Sequence, residues 1–284
     1  MWRNPVSMES AKRLLIKTVR ENGHVTVLTG AGISAESGIP TFRGPEGFWT
    51  VGSRNYHPQE MATASMFSND PESVWVWYLY RMGLCRQARP NGGHQAVAAM
   101  ENSLGDRFTL ITQNVDNLHL RAGNSLRRTY QIHGNLFFVR CASACTNDIM
   151  DLPADLAPKP RGGTLTDQER HQLKCQGCGS WLRPHVLWFD ESYNEHHYHF
   201  GSALETAGRT RLLITVGTAG ATTLPNVIAD LVFRNKGLMI DINVADNPFA
   251  GLAMQSDHGI FIRRPSSEAL AELARAVDSA HSNL

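Results

Sequence analysis

Several groups of residues in this chain have the types and spacings that chemistry needs. Cys141 and Cys145 have three residues between them, Cys175 and Cys178 have two, and 29 residues separate the pairs. Two such pairs can close a tetrahedral four-thiolate zinc site, with Gly177 and Gly179 leaving room for a tight knuckle. A closed site leaves no position for water, so its role would be structural; reduced free thiols are the alternative. Cys85 stands in an apolar helical stretch and reads as a buried, inert thiol. Gly30-Ala31-Gly32-Ile33-Ser34-Ala35 fits G-x-G-x-x-G/A, in which glycine makes a tight turn and lets backbone approach a pyrophosphate at a helix N-terminus. His133 can act as a general base near neutral pH, although a hydrogen-bonded histidine at a strand end looks the same in sequence. Gln113, Asn114 and Asp116 carry amide and carboxylate groups that suit ribose hydroxyls and a carboxamide. Asn114 or Asp116 can equally cap a helical segment at 116–122. Tyr78 and Arg81, three apart, share a helix face and together can bind a carboxylate. The competing reading puts Tyr78 in the core and Arg81 in solvent. Glu195-His196-His197-Tyr198-His199 invites a metal reading, but it has no cysteine or carboxylate partner at a fixed spacing, and a solvated helix start is expected.

The elements that must position these groups follow from periodicity. Apolar residues recur at helical spacing over 8–22, and helical stretches are expected at 70–88, 93–103, 223–235 and 267–280. Short β-branched or apolar runs predict strands at 24–29, 108–112, 129–132, 211–216 and 237–242, several ending in Gly or Asn. Alternating strands and helices predict a doubly wound, mostly parallel, Rossmann-like α/β sheet. Two regions break the rhythm and read as insertions above one end of the sheet. The sheet portion is expected at about 8–42, 93–138 and 183–284, a helical and cofactor-loop module at about 43–92, and a zinc module at about 139–182. No acidic residue ends a second strand some 20 residues after the glycines, unlike the ordinary dehydrogenase pattern.

The longer string Gly30-Ala-Gly-Ile-Ser-Ala-Glu-Ser-Gly-Ile-Pro-Thr-Phe-Arg-Gly44 resembles the signature of the sirtuins, NAD-dependent protein deacylases. Thr112-Gln-Asn-Val-Asp-Asn-Leu-His119 resembles their second motif and His133-Gly134 their third. Leu182-Arg-Pro-His-Val-Leu-Trp-Phe189 and Gly217-Thr218 follow in the family's order, so the resemblance spans about residues 10–280. It implies that His133 activates the nicotinamide ribose after the acyl oxygen has displaced nicotinamide, with Asn114 and Asp116 sharing the catalytic pocket. It implies NAD contacts from Gly30, Ala31, Gly32, Ile33, Ser34, Gln113, Asn114 and Asp116. Phe42 and Arg43 would lie on a closing loop. Gly217, Thr218, Ala219 and Asn243 would hold the adenosine half. Val186 and Trp188 would touch the acyl-lysine. Tyr78-x-x-Arg81 resembles the mark of the subclass acting on succinyl-, malonyl- or glutaryl-lysine. Three departures stand out: Ala219–Pro225 replaces the usual Ser and Val-Tyr-Pro-like run, Asp190 replaces a glycine, and the first cysteine pair is one residue longer than usual.

The implied reaction is NAD-dependent removal of acyl groups from lysine in proteins or peptides, releasing nicotinamide, free lysine and O-acyl-ADP-ribose, in a protein carrying one structural zinc. NAD glycohydrolysis or ADP-ribosyl transfer from the same pocket is the rival, and a non-enzymatic NAD sensor a third reading. Composition narrows the rest. Lys+Arg 27 against Asp+Glu 26 gives a net charge of +1 over 284 residues, so neither nucleic acid nor an acidic membrane surface is an expected partner. No apolar run reaches the roughly 18–20 residues of a membrane span, and the N-terminus shows no apolar signal region. A cytoplasmic protein is expected, with an organelle matrix also open; oligomeric state is left open.

Overall fold

The computed structural model describes residues 8–40, 49–51, 54–255 and 259–281. Six parallel strands form the central sheet, in the order Ile260–Arg263, Leu238–Asn243, Thr210–Val216, His24–Thr29, Phe108–Thr112, Thr129–Gln131. Winding reverses between His24–Thr29 and Thr210–Val216, the point at which an open α/β sheet leaves a crevice beyond its carboxyl ends. The strands are nearly continuous apolar runs because helices cover both faces. Threonines interrupt the runs and pair with one another between strands: Thr26 with Thr210 at 2.7 Å, and Thr29 donating to Thr112 at 2.8 Å.

On one face, helices Met8–Arg20, Gly92–Leu104 and Ser266–His281 bring Leu15, Val97, Leu270 and Leu273 against Val25, Leu110 and Ile214. On the other, Phe200–Arg209, Thr223–Arg234 and Pro248–Gln255 bring Ala203, Ile228 and Phe249 against Leu28, Leu213 and Met239. The strand Ile260–Arg263 was not among those expected; four residues are too short a run to announce themselves by alternation.

A third core stands apart from the sheet. Helix Pro71–Gln87 starts with Asp70 accepting from the Ser73 N–H at 3.0 Å and Pro71 in its first turn. It is apolar on nearly all sides, and Trp75, Trp77, Leu79 and Met82 pack with Leu136, Val139 and Leu182. Those partners belong to a small antiparallel sheet of Met150–Asp151, Gly134–Cys141 and Leu182–Val186. The Trp75 indole donates to the Leu182 carbonyl at 2.8 Å. The aromatic helix and the cysteine-bearing segment therefore share one core, in which Cys85 is buried as expected. Arg81 is buried as well, which removes the reading that leaves it in solvent.

Candidate functional site

The glycine turn closes directly on the neighbouring strand's end. Gly30 N–H donates to the Val216 carbonyl at 3.0 Å and Gly32 N–H to the Gly217 carbonyl at 2.8 Å. A β-carbon on Gly32 would stand 2.7 Å from Gly217 Cα, so the two loops can meet only without side chains. The helix that follows is one turn, Gly32–Ala35, so backbone proximity rather than a long helix dipole is what this turn offers a ligand. Phe42 and Arg43 lie outside the described residues.

Beneath the turn sits a buried polar cluster. The Ser34 hydroxyl donates to Asp116 Oδ2 at 2.6 Å, and Leu118 N–H donates to Oδ1 at 2.8 Å. Burial nevertheless holds the Asp116 carboxyl above its ordinary range, against the pull of Ser34, the Leu118 N–H, Arg121 and Arg81. Asn114 Nδ2 donates to the Gly30 carbonyl and to Ser34 Oγ, both at 3.1 Å. Ser34 Oγ also lies 3.3 Å from His94 Nε2, and His119 Nε2 lies 3.0 Å from Thr29 Oγ1. The helix expected at 116–122 begins at Leu118 with Asn117 at its N-cap and no side-chain cap there; Asp116, one residue earlier, takes the Leu118 N–H instead.

His133 lies at the crevice, half-buried, in the turn between strands Thr129–Gln131 and Gly134–Cys141. A carbonyl can only accept, so the 3.1 Å contact between Nδ1 and the Gln113 carbonyl places the proton on Nδ1. Burial pushes the imidazole down to about 4, leaving it neutral at pH 7 with its lone pair on Nε2. That nitrogen lies 2.8 Å from the Tyr193 hydroxyl. Gly134 follows at φ 81, where a β-carbon would stand 2.0 Å from the His185 carbonyl oxygen. The third motif thus needs glycine for the close approach of Leu182–Val186. Gln113 Nε2 donates to Thr218 Oγ1 at 2.9 Å, Thr222 Oγ1 donates to Gln113 Oε1 at 3.0 Å, and Asn243 Nδ2 donates to the Thr218 carbonyl at 3.0 Å. Ala219 is exposed beside them.

The expected acyl-pocket residues converge in the third core. Trp188 Nε1 donates to the Tyr78 hydroxyl at 2.8 Å, and Tyr78, Arg81, Val186 and Trp188 are all buried. Arg183 lies over the Trp188 ring at 3.4 Å and grips Glu191, whose Oε2 also accepts the Trp188 N–H at 3.0 Å. Asp190 has a structural task that its sequence position did not reveal. Its carboxylate accepts the N–H of Ala64 at 2.7 Å and of Ser65 at 3.1 Å, capping helix Ala64–Asn69.

The four cysteine sulfurs lie within 4.8 Å of one another, with Cys141 to Cys178 and Cys145 to Cys175 both at 3.5 Å. Sulfurs about 2.3 Å from a tetrahedral zinc are roughly 3.8 Å apart, so the set fits that ion and could hold it. Hydrogen bonds from Ser180 draw the Cys178 thiol down to about 6, while Cys145, facing three other sulfurs, is pushed up. Among the described residues this is the only group of three or more His, Cys, Asp or Glu side chains placed to share a metal. The Glu195–Tyr198 segment is a short helix, capped by Asn194, with Tyr198 buried.

Four residues of the site went unnoticed in the sequence: His94, His119, Tyr193 and Thr222. His119 closes the second motif, and Thr222 lies in the divergent 219–225 run, so both had a signal. His94 sits in the helix expected at 93–103 and Tyr193 in a polar loop, and neither had a signal.

The Sir2 family model matches residues 30–223. The chain is similar to an NAD-dependent protein deacylase of Leptospira interrogans, 37% identical over 253 residues that cover 89% of this chain and 92% of that one. It is similar to NAD-dependent protein deacylase 1 of Archaeoglobus fulgidus, 38% identical over 266 residues, 94% and 98% of the two chains. Among solved structures it resembles a Sir2 homolog–NAD complex, with a TM-score of 0.78 and 34% identity over 98% of this chain and 97% of that one. A Sir2 homologue mutant bound to 2'-O-acetyl ADP ribose aligns with a TM-score of 0.76 and 36% identity, over 94% and 97%.

Proposed function

The chain belongs to the Sir2 family, and on that premise we propose how its crevice performs the family's reaction. The protein is an NAD-dependent protein deacylase acting on acyl-lysine in peptides or proteins. NAD supplies an electrophilic ribose carbon, a departing nicotinamide and the ADP-ribose that carries the acyl group away. The donor set at the switch point fits that cofactor: two side-chain amides, a hydroxyl, a carboxylate and a glycine turn without side chains, all near the carboxyl ends of parallel strands.

In this reading Gly30, Ala31 and Gly32 give the pyrophosphate side close backbone. Asn114 and Asp116 line the nicotinamide side with Ser34 and Ile33. Gln113 orients the ribose, and Gly217, Thr218, Ala219 and Asn243 take the adenosine side. His133 Nε2 is the base for the ribose hydroxyl. The observation that carries this assignment is the Nδ1 contact to the Gln113 carbonyl, which leaves a neutral imidazole with its lone pair on Nε2. Tyr78 and Arg81 take the carboxylate of an acidic acyl group, with Val186 and Trp188 along the lysine. His133→Ala tests the assignment. It should fold and bind NAD by calorimetry yet lose deacylation by about 100- to 10,000-fold. Near-normal turnover in the purified variant would reject His133 as the base.

Among the described residues no helix is long and apolar enough to cross a membrane. Our reading of the near-neutral charge is that neither membrane nor nucleic acid is a partner.

A further inference from the structure

We propose that Tyr193 is a catalytic residue beside His133, its hydroxyl holding the Nε2 lone pair and passing the ribose proton to it. The inference rests on the reading of His133 as the base. With Nδ1 protonated, Nε2 can only accept, so the Tyr193 hydroxyl at 2.8 Å is the donor. The Leu224 N–H lies close enough to the Tyr193 oxygen to draw the phenol down, although burial outweighs it. Thr222 donates to Gln113 Oε1 at 3.0 Å, Gln113 Nε2 donates to Thr218 at 2.9 Å, and the Gln113 carbonyl holds His133 Nδ1. The group expected to orient ribose and the group expected to deprotonate it are thereby tied together at Gln113. Thr222 lies in the segment where the chain departs from its family's usual sequence.

A phenol donates and accepts at one oxygen, which suits it to pass a proton on. As a proton from a bound hydroxyl arrives at Tyr193 Oη, a new O–H bond forms there and the original O–H breaks. The original proton forms the N–H bond at Nε2. Tyr193 ends unchanged and His133 ends as imidazolium. Burial pushes the phenol up to about 12, so no lasting phenolate intervenes.

Tyr193→Phe keeps the ring against Phe200, whose centroid lies 6.3 Å away, and removes only the hydroxyl. Nitrogen-15 NMR of histidine-labelled protein, with no substrate present, should show His133 Nε2 moving to the position of an unbonded acceptor nitrogen. NAD affinity by calorimetry should stay within about twofold. Exchange of labelled nicotinamide, which precedes the base's step, should persist while complete deacylation falls about 10- to 100-fold. Faster turnover with tighter NAD binding would overturn the proposal, since the hydroxyl would then merely obstruct the base. Parallel loss of NAD binding and exchange would overturn it in favour of a folding role, and unchanged deacylation would overturn it outright. His133→Ala run alongside separates the two claims. Normal turnover there rejects the base itself, whereas an inactive His133→Ala beside a normal Tyr193→Phe rejects only the role of Tyr193. If Tyr193→Phe does not fold, Tyr193→Leu carries the same nitrogen-15 and turnover test, and deacylation equal to that of the unaltered protein would overturn the proposal.

Discussion

The indole N–H of Trp188 donates to the hydroxyl oxygen of Tyr78 across 2.8 Å, joining the segment after strand Leu182–Val186 to the aromatic helix. The bond occupies a lone pair of the phenol and leaves its proton to give. Burial drives the Tyr78 phenol well above its ordinary range, so that proton stays in place. Arg81 stands one turn along the same helix, its guanidinium 5.4 Å from the Trp77 ring centroid. A hydrogen bond to a charged group contributes roughly 1.5–3 kcal/mol. Arg81→Met should therefore lower kcat/KM for a succinyl- or malonyl-lysine peptide about 10- to 150-fold, and for an acetyl-lysine peptide far less. Equal losses on both peptides would assign Arg81 to the helix rather than to the acyl group.

The four cysteines should bind one zinc per chain. Elemental analysis of freshly purified protein should give close to one equivalent. Cys175→Ser should lower both zinc content and thermal stability, because metal binding is coupled to the folding of the segment that carries the ligands. Stable, active protein without metal would show that the thiols serve in some other way.

Acid should destabilise the fold from an unusually high pH. Burial lowers His24, His94 and His133 to about 4 and His185 to about 3, against 6.5 for a solvent-exposed histidine. Between pH 6.5 and 4 the unfolded chain binds more protons than the folded one. Stability is thus complete above 6.5 and is lost as pH falls through that window, by up to about 1.4 kcal/mol per pH unit for each group. Asp241, raised by burial to about 6, has the opposite sign: its contribution is present below 3.8 and gone above 6. Asp116, also raised by burial, acts in the same direction as Asp241, but four histidines outnumber the two aspartates, so urea midpoints should drop clearly between pH 7.5 and pH 5. Equal midpoints would mean that these rings are not held neutral.

Asp190→Ala should cost about 1 kcal/mol of stability, the usual loss when a helix cap is removed, and Asp190→Asn should cost less. Urea denaturation of the three proteins checks this, and an unchanged alanine variant would show that the cap is not formed in solution.

The sheet was legible because its strands are apolar runs that end in glycine or asparagine at the crevice, and its helices carry clear apolar stripes. The five expected strands appear within about one residue of their positions. Ile260–Arg263 escaped because it is short. The shared core of the aromatic helix and the cysteine segment escaped because it joins residues some 60 to 110 positions apart, such as Trp75 with Leu136 and Leu182. Ser34, Asn114, Asp116 and His133 could be read from motifs that place them at strand ends. Tyr193 could not: its contact with His133 spans 60 positions and rests on a loop with no periodicity. Asp190 was visible as a departure, but its purpose needed the position of Ala64.

The central claim is tested most directly by incubating the protein with NAD and separate acetyl-, succinyl- and malonyl-lysine peptides, then weighing both peptide and nucleotide products by mass spectrometry. The account predicts that each lysine freed of its acyl group is matched by one nicotinamide and one O-acyl-ADP-ribose, and that His133→Ala yields neither deacylated peptide nor acylated nucleotide. Nicotinamide released with free ADP-ribose while every peptide keeps its acyl group, or ADP-ribose found attached to the peptide, would contradict it.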